Sequence, residues 1–108
     1  MNRIAAFAFA IALLAAGQAS AGVVETPECR RDLPAAEAAI SRVAARDRAK
    51  RPPGDAAICA TLKLNFRDMR MARDILARCL TGHERGENTG QLNDSIGDVQ
   101  AVISRRCP

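Results

Sequence analysis

The side chains of this 108-residue chain with chemistry to offer are four cysteines, one histidine, and clustered carboxylates and arginines. Cys29, Cys59, Cys79 and Cys107 are separated by 29, 19 and 27 residues. No Cys-x-x-Cys pair is present and these gaps do not fit zinc-ligand spacing, so redox and metal chemistry are disfavoured. An even cysteine count in a small exported chain argues instead for a disulfide framework. His83 lies in Gly82-His83-Glu84-Arg85-Gly86-Glu87-Asn88, where His83, Glu84 and Glu87 offer donors for a metal ion. A lone histidine is weak support, and the same acids serve equally as solvated charges before the positive end of a following helix.

No catalytic residue is assigned. There is no Gly-x-Ser-x-Gly motif, no cysteine expected to stay free and only one histidine to act as a base. Asp94 and Asp98, at i, i+4, could do acid–base work, but they lie off the apolar stripe and are expected to face water. Lys63, Arg67, Arg70, Arg73 and Arg78 make a basic surface suited to phosphate or an acidic polymer. Asp68 and Asp74 interleave with them, as on an ordinary solvated helix face.

The elements that position these residues follow an expected export signal, residues 1–21. Arg3 gives a positive start, Ile4 to Ala16 is an apolar run of h-region length, and Ala19-Ser20-Ala21 supplies the small-x-small cleavage pattern. Cleavage before Gly22 leaves a single domain, 22–108, of 87 residues. The signal takes Arg3 and no acid with it, lowering the formal net charge from +4 to +3. It also takes Phe7 and Phe9, so Phe66 is the one aromatic left. Length and composition exclude a multidomain enzyme, an integral membrane protein, an aromatic carbohydrate platform and a base-stacking nucleic-acid module.

Three amphipathic segments follow. Gly22 to Glu28 reads as a poorly ordered extended lead. A first helix over about 33–49 opens with Pro34 in its first turn and carries Leu33, Ala36, Ile40, Val43 and Ala44 on one face. Lys50-Arg51-Pro52-Pro53-Gly54 breaks it. A second helix over 55–80, capped by Asp55 and stopped at Thr81-Gly82, presents Ile58, Cys59, Leu62, Phe66, Met69, Ala72, Leu76, Cys79 and Leu80. Gly82 to Gly90 reads as a polar loop. A third helix over 89–106, capped by Asn88 or Thr89, carries Leu92, Ile96, Val99, Ile103 and Cys107. The expected fold is all-α, a small antiparallel three-helix bundle.

This topology ranks the three possible cysteine pairings. Twenty residues of one helix separate Cys59 from Cys79 by roughly 30 Å, far beyond disulfide reach. An up-down-up bundle gathers the start of the first helix with the end of the second, pairing Cys29 with Cys79. The opposite end pairs Cys59 with Cys107. The two bridges staple the second helix to both of its neighbours.

The second helix also carries a second apolar stripe, Leu64, Met71 and Ile75 with Ala57 and Ala60, nearly opposite Leu62, Met69 and Leu76. Either it packs against a bundle neighbour or it is exposed and marks a partner surface or a homodimer. The leading functional expectation is a small exported, non-enzymatic interaction protein of the bacterial envelope, periplasmic or secreted, with Leu64, Met71 and Ile75 as its partner-binding residues. The alternative is a small binder of a metal ion or anionic ligand, and the third reading is a small hydrolase. No cofactor, nucleic acid or membrane insertion after signal cleavage is expected.

Overall fold

The computed structural model describes residues 22–50 and 54–108, and the expected signal peptide and Arg51-Pro52-Pro53 lie outside the described residues. Three helices follow one another: α1 (Pro27–Arg48), α2 (Asp55–Cys79) and α3 (Gly82–Arg106). Both expected disulfides are present, Cys29–Cys79 with Cα atoms 5.4 Å apart and Cys59–Cys107 at 5.7 Å. The chain runs up, down and up, as the side-chain pairs between successive helices require: Arg42 faces Asp68 and Arg73 faces Asn93.

α1 begins six residues earlier than the position of Pro34 suggests. The Thr26 hydroxyl accepts the Cys29 N–H at 3.2 Å and Pro27 takes the first helical position, a stronger start than Asp32-Leu33-Pro34. Pro34 therefore sits inside the helix, where it removes one backbone bond. The Cys29–Cys79 bridge holds the turns before it against α2.

The lead into α1 is extended, as expected, but it is docked rather than poorly ordered. Val24 N–H donates to the Cys79 carbonyl at 2.8 Å, Thr81 N–H donates to the Gly22 carbonyl at 3.0 Å, and Val23 pairs with Leu80 in an isolated antiparallel bridge. A Cβ at Gly22 would meet Glu84 Cγ at 2.5 Å, so any larger residue there makes the Glu84 side chain shift.

α2 is capped by Gly54, at φ 117°, rather than by Asp55, which occupies the first helical position and still favours the positive helix end. α3 starts at Gly82, leaving only Leu80 and Thr81 between the helices. The expected polar loop 82–90 is therefore helical. Its candidate caps bond back onto the helix: Asn88 Nδ2 donates to the Glu84 carbonyl and Thr89 Oγ1 to the Arg85 carbonyl, both at 2.7 Å.

The core lies mainly between α1 and α2. Ala36, Ala39, Ala72 and Cys79 are fully buried, joined by Cys29, Ile75 and Leu76, with Val24, Leu33, Leu80 and Leu92 packed around them. Alanines at this seam let the two backbones approach closely. α3 contributes one buried side chain among the described residues, Ile96. α2 is central: no Cα of α1 comes within 8 Å of α3 among the described residues. The outer helices each cover a flank of α2, and their buried stripes are too narrow to cover each other as well.

Candidate functional site

Beyond the alanine contacts, the α1–α2 seam turns polar. Asn65, Asp68, Ala72, Ile75 and Cys79 follow at i, i+3, i+7, i+10 and i+14, so they share one face of α2, and all are buried. Asp68, read from sequence as a solvated acid, is only 2% exposed. Arg42 grips it with a two-pronged bond, Nε to Oδ2 and Nη2 to Oδ1, each 3.1 Å. Arg46 Nη2 adds a contact at 2.8 Å. Arg46 Nη1 also donates to Asn65 Oδ1 at 3.0 Å, and Asn65 Nδ2 donates to Asp47 Oδ1 at 3.2 Å.

The network closes: no buried side-chain nitrogen or oxygen among the described residues lacks a partner. The Arg42 hydrogen bonds hold the Asp68 carboxyl below its ordinary pKa of 3.8, against the burial that favours protonation, with Arg46 helping. The same bond raises the Arg42 guanidinium. Ion pairs of this kind contribute modestly to net stability, and their best-attested use is to fix register. Here one buried carboxylate and two arginines match the register in which the Cys29–Cys79 bridge holds α1 against α2.

Between α1 and α3 a cleft of about 310 Å³ opens over α2. Val43 and Asp47 of α1 form one wall, Ser95, Asp98 and Val99 of α3 the other, and Leu62, Asn65 and Met69 the floor. Ile40, 40% exposed, belongs to the same α1 face as Val43 and Asp47 by its spacing. Asp98 thus faces water, as expected, but does so at the edge of this cleft; Asp94 is exposed.

The second apolar stripe of α2 divides. Ile75 is 7% exposed and belongs to the core, because the α1 seam reaches that far around the helix. Leu64 and Met71 stay 40% and 38% exposed, beside Lys63 and Arg67. The neighbouring arginines are occupied: Arg70 lies 5.5 Å over the Phe66 ring, Arg73 bonds Asp74 and Asn93, and Arg78 reaches Asp32. Lys63 and Arg67 meet no carboxylate among the described residues.

His83 and Glu87 form an exposed i, i+4 pair, Nε2 to Oε2 at 2.7 Å, on the first turns of α3. The three donors read from sequence do not converge: among the described residues no group of three or more His, Cys, Asp or Glu side chains is arranged to hold a metal ion.

Sequence reasoning missed the polar seam because it weighed Asp68 by its charged neighbours in sequence. The signal was present in the bridge: pairing Cys29 with Cys79 on antiparallel helices brings Arg42 level with the Phe66–Asp68 turn. Comparison with known protein families, curated proteins and solved structures finds no match. The geometry itself defines a small, doubly stapled helical protein. Its two disulfides point to an oxidising compartment, and no helix among the described residues is long and apolar enough to cross a membrane.

Proposed function

We propose that this chain is a small exported, non-enzymatic interaction protein of the bacterial envelope, acting in the periplasm or outside the cell, and that it binds another protein or a second copy of itself through the outer face of α2. The observation that carries the reading is the pair Leu64 and Met71, two large apolar side chains seven residues apart and well exposed on a chain that buries few large ones. They are flanked by Lys63 and Arg67 rather than covered by α1 or α3. Apolar anchors beside unengaged cations suit a partner surface that is apolar with an acidic rim. One further feature supports export: the disulfides, which join residues 50 and 48 positions apart in sequence, require an oxidising compartment to form.

The test compares the oxidised wild type with Leu64→Ser/Met71→Ser, a change at exposed positions that leaves the helical circular dichroism intact. Sedimentation reports self-association, and affinity capture from the host envelope reports partners. The proposal expects the wild type to form a complex, with itself or with a retained protein, that the double variant loses. A monomer retaining the same proteins with and without the substitutions contradicts it.

A further inference from the structure

The outer face of α2 is more strongly of one sign in the structure than along the chain. Asp68 interleaves with the basic residues in sequence, but it is buried and its charge is taken up by Arg42 and Arg46. What stays exposed over those turns is Lys63, Arg67 and Arg70, at i, i+4 and i+7, a row of cations with no exposed carboxylate before Asp74. Leu64, Asp68 and Met71 form the adjoining row at the same spacing, with the two apolar residues exposed and the acid turned to α1. On α1, Ala38, Arg42 and Ala45 repeat that spacing, and both alanines are exposed. The antiparallel register held by Cys29–Cys79 and by the Arg46–Asn65 bond brings Ala45 level with Leu64 and Ala38 level with Met71. The Arg42–Asp68 pair joins the two rows midway.

The result is a shelf of two steps, each a large apolar side chain level with an alanine, about 10.5 Å apart along the helix axis. A helix with an apolar stripe presents the same repeat, because its a and d residues recur every seven positions. The short side chains of Ala38 and Ala45 leave room for its backbone to come close. A second copy supplies no counter-charge: an isologous contact sets this patch against itself, and the patch has cations on one edge and no exposed acid anywhere in its three rows. We infer that the occupant is an amphipathic helix of a different protein, its apolar stripe on Leu64, Met71 and the two alanines and its acidic edge along Lys63, Arg67 and Arg70. Charge complementarity of this kind selects the partner and its orientation. The inference rests on the outer face of α2 being the binding surface, as proposed above; it adds the shape and sign of the partner and sets aside self-association through that face.

The test titrates the oxidised protein with a synthetic peptide of about 18 residues, long enough to form a helix, that carries leucine at a and d and glutamate and alanine elsewhere. Its comparators are the same peptide with lysine for glutamate and a shuffled peptide of the same composition with no apolar stripe. Fluorescence anisotropy gives affinity, sedimentation gives self-association, and circular dichroism checks that each variant keeps its helices. The patterned acidic peptide is expected to bind about tenfold or more tighter than either comparator. Leu64→Ser/Met71→Ser and Lys63→Glu/Arg67→Glu/Arg70→Glu are each expected to weaken it about tenfold or more. Ala38→Gln/Ala45→Gln raises the shelf without changing its charge and is expected to weaken binding about threefold or more. Arg30→Glu/Arg105→Glu reverses two exposed cations away from the shelf and is expected to change the affinity by no more than about twofold. Self-association of the wild type that Leu64→Ser/Met71→Ser abolishes keeps the outer face as the binding surface but overturns the acidic helix. Equal binding of patterned and shuffled peptides, or binding indifferent to the charge reversal or to Ala38→Gln/Ala45→Gln, overturns it too. Peptide binding indifferent to Leu64→Ser/Met71→Ser contradicts both the inference and the reading on which it rests.

Discussion

Near Cys29–Cys79, α1 and α2 meet through Ala36, Ala39 and Ala72, with the docked strand of Val23 and Val24 laid across the end of α2. One to two turns further on, the same helices meet through Arg42, Arg46, Asn65 and Asp68, and beside that seam the molecule opens into its cleft. The first region is apolar, closely approached and closed. The second is polar, specific in register and open. A short chain with few large apolar residues thus concentrates its core at one end and leaves surface for recognition at the other. α2 is common to both regions, so whatever fixes its neighbours also fixes the candidate sites.

The largest effect expected from breaking this contrast comes from the bridges. Their sequence separations, 50 and 48, are nearly equal, so chain entropy assigns each about 4 kcal/mol. Any difference between Cys29→Ala/Cys79→Ala and Cys59→Ala/Cys107→Ala in denaturant unfolding therefore reports on packing. The first pair is expected to lose more, because Cys79 is fully buried within the main core cluster and Cys59 is not part of it.

The polar region gives the next effect. Asp68→Ala leaves two arginines without their shared acceptor and is expected to destabilise by about 2–3 kcal/mol at neutral pH, since both guanidinium groups keep some access to water. The pH dependence has a definite sign. The folded-state pKa of Asp68 is depressed, so its contribution is fully present above the ordinary carboxylate value of 3.8 and is lost as pH falls through the folded value. The gap between wild type and Asp68→Ala should therefore narrow below about pH 4 and stay level above pH 5, as followed by thermal melts across that range.

Smaller effects separate two kinds of glycine. Gly22→Ala puts a Cβ against Glu84 and is expected to cost about 1 kcal/mol, the overpacking penalty, and to loosen the Val24–Cys79 hydrogen bond in amide exchange. Gly90→Ala and Gly97→Ala place a methyl group where nothing lies within 4 Å, inside a helix. Each is expected to raise stability by about 0.4–1 kcal/mol, read as a higher melting temperature.

The order of the helices and both disulfides were legible because helical spacing and disulfide reach leave few arrangements for four cysteines. The boundaries were less so. Pro34 and the glycine-rich run from Gly82 to Gly90 read as a start and a loop, but Thr26-Pro27 supplied a better cap and the side chains of Asn88 and Thr89 folded back onto a continuing helix. Of the proposed partner-binding stripe, Leu64 and Met71 are on the surface and Ile75 is in the core. A helical wheel places residues on a face; it does not say how far round a neighbour wraps. Asp68 and the cleft depend on the spacing of three helices, which no single helix encodes.

Register, polar seam, cleft and the exposed face of α2 all follow from which cysteines are joined. Proteolysis of the unreduced protein, with mass analysis of the linked peptides, reads this directly. The account predicts one linked pair containing Cys29 and Cys79 and another containing Cys59 and Cys107. Peptides joining Cys29 to Cys59, or Cys59 to Cys79, would contradict it.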